Sequence, residues 1–109
     1  MIASGQIAEI LALYKKHGWI LRRVLLSGAL QASLANETQS LFGNAEIRPA
    51  DVDAAWFSRA ARNNQEAWEL RRLSEAPFAL HEMFEEDDDE EIREEALLET
   101  EARLKSFQK

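Results

Sequence analysis

The apolar positions change period along the chain, and the changes mark its elements. Ile7, Ile10, Leu11 and Tyr14 recur at helical spacing, which predicts a helix over residues 4–17. Ser4 can cap its start. Lys15, Lys16 and His17 fill the last turn, where the helix dipole favours cations, and Gly18 suits the left-handed position that follows. Trp19 to Leu26, WILRRVLL, turns aromatic and β-branched and predicts a strand. Strict alternation puts Trp19, Leu21 and Leu25 on one face and Ile20, Val24 and Leu26 on the other, with Arg22 and Arg23 interrupting both. Ser27 then offers a cap for a second helix, marked by Leu30, Leu34, Leu41 and Phe42 and ended by Gly43-Asn44. Strand, helix and a further extended segment imply a right-handed parallel crossover.

Residues 54–84 hold two of the three tryptophans and three of the five phenylalanines. Pro49 to Arg62 reads two ways. As a helix it has Pro49 at its first position and Val52, Ala55, Trp56 and Ala60 on one face. As a strand, Trp56-Phe57-Ser58-Arg59 runs into an Asn63-Asn64 turn and Ala67-Trp68-Glu69-Leu70 runs out of it. Asparagine tolerates positive φ, which favours the hairpin. A symmetric turn sets Phe57 opposite Leu70, and Arg59 opposite Trp68 as a cation–π pair. Pro77 opens one more segment, residues 78–84, as a strand or a short helix. Beyond it Asp88 and Glu91 have the outline of a capping box, and Ile92, Ala96, Leu97, Leu104 and Phe107 form a narrow helical stripe. Asp89/Arg93, Glu99/Arg103 and Glu101/Lys105 are spaced as i, i+4 ion pairs. The expected fold is α+β in the order α-β-α-β-β-(β or short α)-α, a small sheet covered mainly on one face by helices, with an all-α bundle as the alternative. The whole chain, 1–109, reads as one domain with 85–109 an acidic terminal helix packed on the body.

Charge sharpens this picture. Residues 1–84 carry nine acidic and nine basic side chains, whereas 85–109 carry eleven and four, so the whole net charge of −7 sits in the last stretch. A neutral, arginine-rich body therefore precedes an acidic tail, which either solubilises, engages a basic partner or folds back as a mask. Arg22, Arg23, Arg59, Arg71 and Arg72, with Trp56 and Trp68, make a candidate interaction surface. The competing assignment has the arginines paired with Asp51, Asp53, Glu66, Glu69 and the tail, and the tryptophans in the core. A pI near 4.8 disfavours nucleic acid as partner.

Several chemistries lack their residues. Zero cysteines exclude disulfides, thiolate zinc sites and a thiol nucleophile, and fit a reducing cytoplasm. No apolar run reaches the length of a membrane span, and Met1 leads into an amphipathic pattern, not a leader. There is no G-x-S-x-G, no GxGxxG and no GxxxxGK[ST]. His81-Glu82-Met83-Phe84-Glu85 approaches HExxH but ends in glutamate, giving two ligands where a metal needs three. The acidic run opens like a calcium loop, yet Ile92 stands where its glycine belongs and Leu98 where its closing glutamate belongs. No catalytic residue, cofactor or metal is expected.

The spacing of Lys16-His17-Gly18-Trp19, Arg22-Arg23-Val24-Leu25-Leu26, Trp56-Phe57-Ser58-Arg59, Trp68-Glu69-Leu70-Arg71 and the acidic run after Phe84 resembles a group of small uncharacterised bacterial proteins. The resemblance implies a compact bacterial domain and carries no activity. The expected role is a small non-enzymatic cytoplasmic interaction protein, with a protein partner or self-association. The alternatives are a ligand-binding protein or enzyme with a pocket beside Trp19, Arg23 and Trp68, and a binder of basic partners or nucleic acid masked by the tail.

Overall fold

A computed structural model describes residues 2–106. Helix α1 (Ser4–Lys16) leads to strand β1 (Ile20–Leu26), then α2 (Gly28–Leu34), a 3-10 turn and α3 (Thr38–Phe42). Strands β2 (Glu46–Pro49), β3 (Ala54–Ala60), β4 (Gln65–Arg72) and β5 (Ala79–Glu85) follow, and α4 (Glu90–Ser106) closes the order. The fold is α+β, as the patterning predicts, and the all-helical alternative is gone. The five-stranded sheet has the order β2-β1-β3-β4-β5, with β2 parallel to β1 and every other pairing antiparallel. Short β2 is the strand the expected order lacks. It lies at an edge, where Pro49 costs no ladder bond.

Helices cover both faces of the sheet, not mainly one. Against α1, α2 and α3 lie Val24, Leu26, Ala55, Phe57 and Leu73, joined by Ile7, Leu30, Leu34 and Phe42. Against α4 lie Leu25, Ala54, Trp56, Trp68, Leu70 and Phe84, joined by Leu97 and Leu104. Phe107, the last residue of the expected α4 stripe, lies outside the described residues.

Two bulges explain where alternation fails. In β1, Leu21 pairs with Phe57 but Arg23 with Trp56, so Arg22 is an extra residue. The parity of β1 therefore switches at the arginines. Trp19 and Leu21 join Val24 and Leu26 on the α1 face, while Leu25 packs on the α4 face, which corrects the grouping expected from strict alternation. The second bulge adjoins the hairpin turn. Asn63 and Asn64 both take positive φ, 58° and 59°, and Gln65 N donates to Arg62 O at 3.1 Å, as a tight mirror-image turn requires. Ala61 N also donates to Gln65 O, at 2.8 Å, so Ala61 and Arg62 together oppose Gln65. The register slips by one. Phe57 faces Glu69 and Arg59 faces Ala67, instead of Leu70 and Trp68.

Local signals are honoured with small shifts. Ser27 caps α2 by accepting from Leu30 N at 3.2 Å, and the positive φ of Gly18 turns the chain from α1 into β1. Ala3 precedes α1 in place of Ser4, its N–H donating to Gln6 Oε1. Asp89, not Asp88, caps α4: its Oδ1 accepts from Glu91 N at 3.1 Å. The basic residues of α4 reach partners on the sheet side, Arg93 to Glu66, Arg103 to Glu82 and Lys105 to Asp51.

Candidate interaction surface

The seven residues singled out by charge and aromaticity separate in space. Trp56 and Trp68 are buried under α4, 0% and 5% exposed, and Arg23 is buried with them at 7%. Arg22 lies over the Trp68 ring at 5.0 Å and donates to Ser58 Oγ at 3.4 Å. Arg59 lies on the opposite face, over Trp19 at 4.4 Å, donating to the His17 carbonyl. Arg71 donates to the Arg72 carbonyl, and the Arg72 guanidinium sits over Phe78 at 4.9 Å. They form no continuous patch. Trp19 and the pair Arg23 and Trp68 are on opposite faces too, so one pocket cannot hold all three.

Arg23 instead fastens the acidic helix. The β1 bulge turns its side chain to the α4 face, where Nε meets Glu46 at 3.0 Å, Nη2 meets Glu94 at 2.7 Å and Nη1 meets Glu101 at 3.0 Å. Trp56 Nε1 donates to the same Glu101 oxygen at 2.9 Å. Burial alone would lower the Arg23 pKa, but the hydrogen bonds to Glu94, Glu46 and Glu101 outweigh it and the pKa is raised. The hydrogen bond from Arg23 holds Glu94 below the usual glutamate range, and that from Arg48 does the same for Glu46. The acidic tail is docked, at least through Ser106.

What the sheet leaves open is its β5 edge. Arg72 N donates to Phe78 O at 2.9 Å and Glu86 N to Asn64 O at 2.8 Å, which fixes the even-numbered residues of this segment as those bonded to β4. Ala79, His81 and Met83 therefore aim N–H and C=O outward, and among the described residues no strand lies beyond them. Glu85 belongs to the outward set, and its N–H donates to Asp88 Oδ2 at 2.8 Å, a local cap on the edge. Natural edges are blunted by shortness, proline, lysine or bulges. β2 has two of these, at four residues with Pro49. β5 from Ala79 to Met83 has no proline, lysine or bulge, and its one charge, Glu82, is turned to α4. The face above it is uncovered as well: Met83 is 52% exposed and the His81 side chain 69%.

His81 is held in that open corner by Glu69 directly across on β4, Nε2 to Oε1 at 2.6 Å. The other Glu69 oxygen accepts from the Tyr14 hydroxyl. Burial first, then the bond to Glu69, pushes the Tyr14 pKa up. Tyr14, Trp19, Arg59 and Glu69 line a shallow cavity of about 330 Å³. Its carboxylate, Glu69, is shared between Tyr14 and His81. His81 and Glu85 stand four residues apart on a strand, about 13 Å along the chain, too far to share a metal ion.

Sequence reasoning gave Glu69, Tyr14 and Asp88 other roles: the Tyr14–Glu69 and Glu69–His81 contacts cross elements, and Asp88 caps the β5 edge in place of α4. Arg22-Arg23, two charges inside an apolar strand, is the local signal that goes with the β1 bulge. No protein-family model matches the chain, and neither a curated protein nor a solved structure does. No helix among the described residues is long and apolar enough to cross a membrane.

Proposed function

We propose that this chain is a small non-enzymatic interaction protein of the bacterial cytoplasm that accepts an extended protein segment along the outer edge of β5. The observation that supports the reading is the unprotected row of N–H and C=O groups at Ala79, His81 and Met83 beside an uncovered sheet face. Strand addition uses these two features: main-chain bonds give affinity, and the side chains of alternate residues give selectivity. The composition without cysteine and the resemblance to bacterial proteins support the compartment and source.

The interaction surface thus moves from the arginines and tryptophans to the edge, with Arg71 and Glu69 on the adjoining strand as its charged border. Selection of extended peptides from a displayed library against the full chain tests the reading, with Met83→Pro in parallel. The Met83 N–H points away from β4, so proline removes the edge donor without breaking the internal ladder. Peptides that bind the native chain and lose at least tenfold affinity for Met83→Pro support it. Peptides that bind both equally use another surface and count against it.

A further inference from the structure

We infer that the occupant of the β5 edge is a second copy of this chain, joined about a two-fold axis at His81 to make one continuous sheet; the inference rests on the edge being the interaction surface. The free edge ends at both sides for different reasons. Pro77 has no N–H to donate, and the Glu85 N–H is already taken by Asp88. Residues 77 and 85 are equidistant from 81, so the usable groups are symmetric about His81. An antiparallel β5 pair centred there sets Ala79 opposite Met83 of the second copy and Met83 opposite its Ala79, and uses every free N–H and C=O at positions 79, 81 and 83.

Side chains agree with this register. Large Met83 lies over small Ala79 on the open face, and the half-exposed Met83 is covered. Leu80 meets Glu82, whose carboxylate is drawn toward α4 by Thr100 at 2.6 Å and Arg103 at 3.9 Å. Moving the axis to Glu82 would instead set that glutamate against its own copy, a like-charge contact. The two His81 rings on the axis each arrive with their Glu69 carboxylate, a row reading acid, histidine, histidine, acid.

The test uses the full chain and the fact that it has no cysteine. Light scattering over a dilution series should give twice the chain mass at high concentration, falling to the single mass for Met83→Pro and for Ala79→Pro, with circular dichroism confirming that both fold. His81→Cys should oxidise rapidly to a covalent dimer, because directly paired residues have Cα atoms about 5.5 Å apart, within disulfide reach. Leu98→Cys, exposed on α4, should cross-link far more slowly. A monomer at every concentration with no preferential His81→Cys cross-link overturns the self-pairing and leaves the peptide selection to decide the edge itself. A dimer that survives both proline variants, or that Leu98→Cys links as fast, forms through another surface and overturns the self-pairing as well.

Discussion

Replacing Arg23 by methionine isolates the contact that docks the acidic helix. Methionine keeps most of the apolar stem and removes the guanidinium, leaving Glu101 without its cation while Arg48 still pairs with Glu46 and Glu94. The three bonds are unequal. Glu101 is 15% exposed, and its loss costs about 2–3 kcal/mol as a charged hydrogen bond in a buried setting. Glu94 and Glu46, 36% and 49% exposed, can relax into water, so each contributes no more than about 0.5 kcal/mol. The sum is about 3 kcal/mol, a large share of the 5–15 kcal/mol typical of such a chain and roughly 15 °C in Tm. Urea unfolding at neutral pH, followed by tryptophan fluorescence, measures it directly. Arg48→Met is the control: Arg48 is 36% exposed and bonds only exposed glutamates, so it should cost under about 1 kcal/mol. Adding Glu101→Gln to Arg23→Met removes the buried stranded charge, while its amide oxygen can still accept from Trp56, and should restore about 1 kcal/mol. Equal losses for Arg23→Met and Arg48→Met would refute the placement of Arg23 as the buried anchor.

Three further outcomes follow from the same geometry. Glu94 and Glu46 have depressed pKa values, so their stabilisation is complete above the unfolded glutamate pKa and is lost as pH falls through the lower folded values. The urea midpoint should therefore drop below about pH 4, and less so in Arg23→Met; an identical acid profile for both proteins would contradict this. Tyr14 is the one tyrosine of the chain and its pKa is raised, so the stability it gives is present below the unfolded tyrosine pKa and lost as pH rises. Phenolate absorbance should appear together with unfolding, whereas ionisation in the folded protein near pH 10 would place its hydroxyl in water. Asn64→Val forces a β-branched residue to φ 59° and should cost about 1–2 kcal/mol in the same urea assay, while Asn64→Gly should be neutral or slightly stabilising.

How much of this was legible depends on whether a signal is local. The α1 stripe, the Ser27 cap, the Gly18 turn and the Asn63-Asn64 turn each depend on neighbours within a few residues, and the sequence shows them. The hairpin register failed by one because nothing in Ala61-Arg62 announces a bulge: the turn was read correctly and the pairing beyond it was not. Strict alternation misassigned Leu25 and Trp19 because the bulge at Arg22, signalled only by two charges in an apolar strand, switches faces in mid-strand. The arginines and tryptophans looked like one surface because composition does not say which face a side chain takes. The open edge was invisible for a deeper reason. That β5 lies last in the sheet is a property of strand order, and strand order is set by long-range packing that no window of sequence contains.

Backbone amide exchange along β5, followed residue by residue in the full chain across a dilution series, reads whether that edge is open and whether a second copy closes it. In dilute solution the outward amides of Ala79, His81 and Met83 should exchange rapidly while those of Leu80, Glu82 and Phe84 stay protected by β4, and the first three should gain protection as concentration rises. Slow exchange of all six at every dilution would mean the edge is already closed within the chain. Fast exchange of the first three at every concentration would mean that no second copy seats there.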